Sequence, residues 1–228
     1  MRKHYYLVLD IETANITEDA LAYDIGFAVA DRKGNIYEKY SYINSDIFYY
    51  EKDLMKSAYY AHKIPEYMAD ILAGKREVAN LYTIRQKILE MFDKYPIRAV
   101  CAYNASFDYR GLNITQRYIT KSKYRYFLPY GVEIFDIWHM ACQVICSLKK
   151  YYTFCIDNNL VSPKGNIQTS AEAVYKFLTN NPTFEEEHKG LEDVIIEVAI
   201  MAECYKKKKK LNRKINRACW RLAQRKEG

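Results

Sequence analysis

The sequence predicts an α/β protein in which a mixed β-sheet is flanked by helices. Half of the 228 residues are apolar, which is enough to enclose the core of one globular domain. Short β-branched and aromatic runs come first in the chain, and later runs of that kind alternate with helical patterns. A chain in which strands come first, and strands and helices alternate later, is typical of a mixed sheet with helices packed on it.

Five segments are predicted as strands. The first three are separated by turn-forming sequences, one of them Asp31 to Asn35, and are predicted to form a meander. The predicted strands are residues 5–9, 25–30, 36–43, 99–103 and 133–135.

Helices are predicted where apolar residues recur at helical spacing. The first such stripe stops at Pro96, which cannot continue a helix. Residues 157–168 are rich in turn formers and are predicted to be a surface loop. The predicted helices are residues 81–95, 137–148, 171–178 and 191–205.

The net charge of +7 is unevenly distributed along the chain. Residues 206–228 carry 11 Lys or Arg and one acid, which leaves a balance of −3 for residues 1–205. We therefore predict a domain at 1–205 and a basic C-terminal tail or helix at 206–228. A mildly acidic body with a basic tail suits a polyanionic substrate. The alternatives are a tail that only solubilises the protein and a helix that lies back on its own domain.

Cysteine usage and hydropathy predict a soluble, cytoplasmic protein, and a small domain with a basic tail would suit a virus or a bacterium equally. The six cysteines sit inside apolar segments without the paired spacing of zinc sites, so we expect reduced, buried thiols. No apolar run approaches the roughly 18 residues needed to cross a bilayer, and the first residues do not resemble a signal peptide.

The first candidate motif places two acids in a predicted strand. Asp10 and Glu12 alternate with Leu9 and Ile11, so the two carboxylates share one face of the strand. Neighbouring acids on a core strand repel each other and lose solvation unless a cation neutralises them. The alternative is a solvated edge strand with polar alternation.

Two further motifs follow along the chain. Asn104 and Asp108 come directly after a predicted strand, where an acid in a first helical turn is by itself ordinary. His188 and Asp193 stand at the start of the last predicted helix and could share a site only if His188 precedes that helix, with Gly190 allowing the break. Alternatively, Thr183 and Glu186 form a capping box, the helix begins earlier and His188 lies on the surface.

Taken in order, the three motifs resemble the DEDD exonuclease superfamily in its histidine-bearing branch, which includes DNA polymerase proofreading subunits, ribonuclease T and oligoribonuclease. The resemblance spans about residues 5–205 and implies a ribonuclease H-like fold, with a five-stranded mixed sheet whose first strand is central. It also implies a metal-dependent 3′→5′ exonuclease that releases 5′-mononucleotides from single-stranded nucleic acid, with DNA favoured over RNA.

The resemblance assigns two divalent cations, Mg²⁺ or Mn²⁺, to four carboxylates. Asp10, Glu12 and Asp193 would hold the first cation, and Asp108 would hold the second together with Asp10. His188 would act as general base toward the attacking water. Carboxylate oxygens suit such hard cations, and a histidine titrates near neutral pH.

Other assignments concern substrate and partners. Thr13, Asn104 and Ile11 are expected to contact the terminal nucleotide, whereas Asp136 is expected to cap a helix. The family often has Thr-Gly where this chain has Thr13-Ala14, and usually Ala where it has Gly190. Expected partners are a single-stranded 3′ end, a polymerase or other replication or recombination protein, and a second copy of the chain, but no membrane. The competing interpretation is a binding module that keeps a nuclease fold without cleavage.

Overall fold

A computed structural model describes residues 4–15, 19–208 and 210–224. Its centre is a six-stranded sheet in the order β4-β3-β2-β1-β5-β6. The strands are β1 (Tyr5–Ala14), β2 (Leu21–Asp31), β3 (Ile36–Asn44), β4 (Glu77–Ala79), β5 (Ile97–Ala102) and β6 (Glu133–Asp136).

All five predicted strands are present, but the predicted count of five is wrong by one. The additional strand, β4, has three residues and pairs in parallel with the end of β3. β1 is an inner strand, antiparallel to β2 and parallel to β5. The sheet is therefore mixed, as predicted, and its antiparallel half is the meander β1–β2–β3.

Nine α-helices are assigned within the described residues. The four predicted helices are confirmed, although the second continues from α6 into a π-helical turn, Cys142–Cys146. The α-helices are α1 (Ser45–Phe48), α2 (Lys52–Lys56), α3 (Ile64–Leu72), α4 (Leu81–Lys94), α5 (Ala105–Thr120), α6 (Ile137–Ala141), α7 (Lys149–Asp157), α8 (Ala171–Thr179) and α9 (Gly190–Lys207).

The two faces of the sheet bury separate cores because side chains alternate along each strand. Tyr6 and Val8 of β1 pack in a core shared with α6, α8 and α9. Leu7, Leu9 and Ile11 point the other way, toward α4 and α5. This alternation directs Asp10 and Glu12 to the α9 side of the sheet.

The described part of the predicted basic tail packs on the domain. Leu211, Cys219 and Ala223 are buried in the core beneath α6 and α9. The Asp136 amide donates to the Arg213 carbonyl at 2.8 Å, and a short 3₁₀ helix, Cys219–Leu222, ends the segment. Of the predicted tail, residue 209 and residues 225–228 lie outside the described part of the chain.

All six cysteines are free and buried, as predicted. Among the described residues, no helix combines the length and apolar character that crossing a bilayer requires.

Candidate active site

A cavity opens where β1 runs on past the end of β5, beside the first turn of α9. Because parallel strands end at the same edge of a sheet, the segments that follow them meet there. The structure brings together all five residues predicted to be catalytic and two predicted substrate contacts: Asp10, Glu12, Asp108, His188, Asp193, Ile11 and Asn104 all line the cavity. Thr13 does not line it and lies toward Gly111 of α5.

β1 delivers two of the carboxylates. Asp10 and Glu12 lie opposite Gly26 and Asp24 of β2, and the register shifts directly after Glu12. The edge-strand alternative is wrong, because β1 is hydrogen-bonded to a neighbouring strand on each side. Both acids lie on the stretch of this strand that continues past its last pair with β5, Val8 with Cys101, and are turned toward α9.

α5 delivers the third carboxylate. Asn104 adopts a left-handed conformation (φ 61°), which turns the chain sharply from β5 into the helix. Asp108 in the first helical turn is buried and accepts a hydrogen bond from the Ile11 amide at 3.3 Å. Asp136 caps α6 by accepting from the Trp138 amide at 3.0 Å, so its predicted role as a helix cap is confirmed.

His188 and Asp193 reach the cavity because His188 precedes α9. The capping-box alternative is wrong, since the helix begins only at Gly190. The break itself falls on His188 (φ 47°) and not on Gly190 as expected. Gly190 instead allows close packing on β2, because a Cβ there would lie 2.7 Å from the Gly26 nitrogen.

Burial and mutual repulsion dominate the electrostatics of the cavity. Burial raises the pKa of Glu12 and of Asp193 to about 9 each, with their acidic neighbours adding to the shift. Burial likewise raises the pKa of Asp108 to about 8. The pKa of Asp10 is raised well above its ordinary value, first by burial and then by Asp108. The site thus strongly favours the addition of positive charge.

The donor set fits divalent cations. Within the described part of the chain, buried oxygens of three carboxylates have no hydrogen-bond partner: Asp10 Oδ2, Asp193 Oδ1 and Glu197 Oε2. One ligand atom from each of Glu12, His188 and Asp193 lies within 4.8 Å of the others. Unpaired buried carboxylate oxygens are costly, and hard cations prefer oxygen ligands. Asp10 and Asp108 line the same cavity and complete the acidic set.

His188 is held by neighbours that sequence analysis did not assign to the site. Its ring stacks on Tyr60, with centroids 4.7 Å apart and planes 16° apart. Glu186 Oε2 lies 3.9 Å from His188 Nδ1. Burial and then the charge of Lys63 lower the pKa of His188, so the imidazole is neutral at pH 7.

Glu197 is a fifth carboxylate that sequence analysis missed. It is 2% exposed, and its Oε1 accepts a hydrogen bond from the Tyr103 amide at 3.0 Å. It lies four residues after Asp193 on α9, a spacing that places both on one face of a helix. This four-residue spacing was the feature of the sequence from which Glu197 could have been predicted as a site residue. The aromatic walls contributed by Tyr60 and Trp138 had no comparable signal, because only the fold brings them to the cavity.

A buried ionic network fixes the start of α9. The Arg76 guanidinium contacts Asp24 at 3.0 Å and Glu192 at 2.6 Å. Asp24 also accepts a hydrogen bond from the Gly190 amide at 3.0 Å, and Lys189 pairs with Asp70 at 3.1 Å. β2 is thereby tied to the first turn of α9, which directly follows the turn at His188.

Comparison with known proteins identifies the fold. No sequence family matches the chain, and no curated protein does. The structure is similar to Escherichia coli exonuclease I in complex with a 5cy-dT13 oligonucleotide, with a TM-score of 0.53 and 14% identity over 90% of this chain and 40% of that one. It is also similar to exonuclease I from Methylocaldum szegediense, with a TM-score of 0.54 and 15% identity over 90% of this chain and 41% of that one.

This likeness bears out the predicted fold class, an α/β ribonuclease H-like sheet flanked by helices. The chain spans about two fifths of the length of these exonuclease I structures.

Proposed function

We propose that this chain is a metal-dependent 3′→5′ exonuclease that releases 5′-mononucleotides from single-stranded nucleic acid. One observation carries the proposal: carboxylates from β1, α5 and α9 converge with a neutral histidine in a single open cavity, and three buried carboxylate oxygens there have no partner. Such a set has no structural purpose of its own, because its members repel one another. The likeness of fold to exonuclease I points the same way.

The site carboxylates, which are Asp10, Glu12, Asp108 and Asp193, would hold two cations, Mg²⁺ or Mn²⁺. When bound, two such cations stabilise the attacking and leaving oxygens during displacement at phosphorus. Asp10 would serve both, because its carboxylate is repelled by Asp108 of α5 as well as by Asp193 of α9. Glu197 borders Asp10 from the α9 side and adds to the negative charge.

His188 is proposed as the general base. Its neutral imidazole can accept a proton, and its side chain is 36% exposed at the cavity, within reach of an attacking water. Stacking on Tyr60 limits rotation of the ring. Glu186, beside Nδ1, is placed to stabilise the imidazolium that forms.

The terminal nucleotide is proposed to enter as a single strand. Phe107 and Trp138 give the cavity aromatic walls on which a splayed base can stack. Ile11 and Asn104 line the cavity beside them. Thr13 does not line the cavity, and its contact with the nucleotide is proposed only from its position near the end of β1. DNA is proposed over RNA because similarly folded exonuclease I has been solved with a deoxythymidine oligonucleotide.

The experiment uses 5′-labelled single-stranded DNA, and RNA of the same sequence, with Mg²⁺, Mn²⁺ or EDTA. We expect a ladder that shortens from the 3′ end, needs the cation and disappears in Asp10→Asn. The matched control is Asp53→Asn, whose side chain is 97% exposed, and it should cleave normally. Folded wild-type protein that releases no mononucleotide would overturn the proposal, and retained binding would then favour the non-cleaving binding module.

The setting is also proposed. A polymerase, or another replication or recombination protein, would present the 3′ end for proofreading or trimming, and two copies of the chain would form a homodimer. Light scattering of the purified protein tests the homodimer. Co-purification with a polymerase, compared between wild type and a variant with altered surface residues, tests the partner.

A further inference from the structure

A second surface, away from the cavity, combines exposed tyrosines with positive charge. Residues 109–132 contain five Lys or Arg, five Tyr and no acid. Tyr124 is 78% exposed, Tyr126 52%, and Tyr130 fully. Together with Tyr82 and Arg85 of α4, the segment forms what we call the tyrosine platform: Tyr82, Arg85, Tyr109, Arg117, Tyr124, Arg125, Tyr126 and Tyr130.

The platform is held firmly although its rings are exposed. Phe127 is fully buried, its amide donates to Asn113 Oδ1 at 2.9 Å, and its carbonyl accepts from Arg85 Nε at 2.7 Å. The Arg117 guanidinium lies 4.7 Å from the centre of the Tyr126 ring. The Tyr126 ring, held in this way, loses little conformational entropy when it stacks on a ligand.

Two grooves flank Tyr126, and both are bordered by Arg85. One has apolar side chains of Leu128, Pro129 and Val132 in its wall and no acidic residue in its lining. The other contains a single acid, Asp46, whose carboxylate already accepts a hydrogen bond from the Leu81 amide. Each groove therefore offers stacking surface and positive charge together.

The platform and the candidate active site both include residues of α5. Tyr109, which borders one groove, directly follows Asp108. Leu128, in the same groove, also borders a small space beside Asp108. A strand whose 3′ end occupies the cavity could therefore continue along the outer side of α5, a helix of 16 residues.

We propose that the tyrosine platform binds the part of a single strand that lies upstream of the terminal nucleotide. Bases stack on exposed tyrosines whatever their sequence, and arginines neutralise the phosphates. The claim that the bound strand lies upstream of a terminal nucleotide rests on the proposed exonuclease function. The claim that the platform binds single strands does not. An acidic protein would pair with the arginines but would leave the tyrosine rings without bases to stack on, so a nucleic acid fits this surface better.

The test compares Arg125→Ala/Tyr126→Ala, which changes two residues that line a groove, with the matched control Tyr50→Ala/Lys52→Ala, which removes an exposed tyrosine and cation from elsewhere. Fluorescence anisotropy measures binding of labelled oligo(dT) of about 4 and about 20 nucleotides, since single-strand sites span about 4–16 nucleotides. Both double variants are made in an Asp10→Asn background with Mg²⁺ to prevent cleavage.

The platform variant should bind the long oligonucleotide at least about tenfold more weakly and the short one unchanged, because each lost stacking contact weakens binding by about that factor. The control should match the background. The proposal would be overturned if the platform variant lost affinity equally for both oligonucleotides, or if it bound the long one as tightly as the background protein does. It would also be overturned if its affinity for poly-glutamate, an acidic polypeptide, fell by the same factor.

Cleavage by proteins that retain Asp10 separates the two proposals. If wild type cleaves nothing but the length-dependent loss of binding is found, the proposed function fails and the platform stands. If wild type cleaves and the platform variant binds the long strand normally, only the platform fails.

Discussion

At the scale of single residues, His188 is held in a conformation that few non-glycine residues adopt. Its positive φ and its stack on Tyr60 hold the imidazole at the cavity. Its lowered pKa favours the neutral form. We expect His188→Asn to fold normally and to slow cleavage by about 10²–10⁴-fold, the usual contribution of a general base. Single-turnover rates across pH measure this, with exposed His4→Asn as the matched control. An unchanged rate would exclude the assigned role.

Glu197 allows a sharper test of the cation site than the sequence motifs do. Its Oε2 is buried without a partner, so an uncharged amide should relieve repulsion with Asp10. We expect Glu197→Gln to raise the melting temperature in EDTA and to reduce the further gain on adding Mn²⁺. Differential scanning calorimetry measures both quantities. Glu185→Gln, at an exposed position, should change neither, and a Glu197→Gln protein with a wild-type cation response would contradict the expectation.

From the sequence alone, residues that line the cavity could be predicted where their motifs lie on regular elements or directly beside them. Asp10 and Glu12 were predictable because strand alternation fixes their common face. Glu197 was missed because it interrupts an apolar helical stripe that was interpreted only as core. Tyr60 was missed because it precedes a three-residue 3₁₀ helix with no periodic signal, and only tertiary packing brings it to His188.

At the scale of elements, the Arg76 network holds the start of α9 in place. The Arg76 side chain is 1% exposed and that of Asp24 is fully buried. Arg76→Met removes one partner of a buried ion pair, which typically costs about 3–5 kcal/mol. Because Asp24 also binds the Gly190 amide, the change should displace His188 and Asp193 and slow cleavage as well.

Urea denaturation of Arg76→Met, with Lys75→Met as the matched control, measures the cost. The Lys75 side chain is 72% exposed, and its pairing with Asp70 should contribute no more than about 1 kcal/mol. The double variant Asp24→Asn/Arg76→Met should recover part of the loss, because no unpaired charge is then buried. If the Arg76 and Lys75 variants had equal free energies of unfolding, the network would not be what stabilises the start of α9.

Sequence analysis missed the nine-residue helices α3 and α7, and it also missed several shorter elements. β4 has three residues, and α1 and α2 have four and five, too few for periodicity to emerge. The long helices α4 and α9 were predicted closely because their apolar stripes persist over several turns. What the sequence could not reveal was the close contact between Gly26 and Gly190, which depends on the packing of α9 across β2.

At the scale of the whole molecule, the basic C-terminal segment contributes both packing and charge. Ending the chain at Lys207 would uncover the core around Cys219 and leave the Asp136 amide without its carbonyl partner, so the melting temperature should fall. Replacing exposed Lys214 and Arg221 with Gln removes charge without uncovering the core. If the segment grips nucleic acid, that variant should keep its melting temperature and bind with a shallower salt dependence. An unchanged salt slope would leave the segment only its packing role.

Stability of the whole molecule should depend on pH in opposite ways with and without cations. Without them, Glu12, Asp108 and Asp193 have folded pKa values of about 9, 8 and 9 against ordinary values of 4.5, 3.8 and 3.8. At pH values between the ordinary and the folded pKa values, these carboxyls keep protons in the folded state that they have lost in the unfolded chain. The free energy of unfolding should therefore be highest near pH 4 and decline toward pH 9.

Mg²⁺ should oppose this decline, because it binds the deprotonated carboxylates and competes better with protons as pH rises. Melting temperatures in EDTA should thus fall with increasing pH, while the gain from Mg²⁺ should grow. Asp10→Asn/Glu12→Gln, which removes two of the acids, should flatten both trends. A melting temperature in EDTA that is constant or rises over this range would mean that the acids do not share one buried site, and the cation assignment would fail with it.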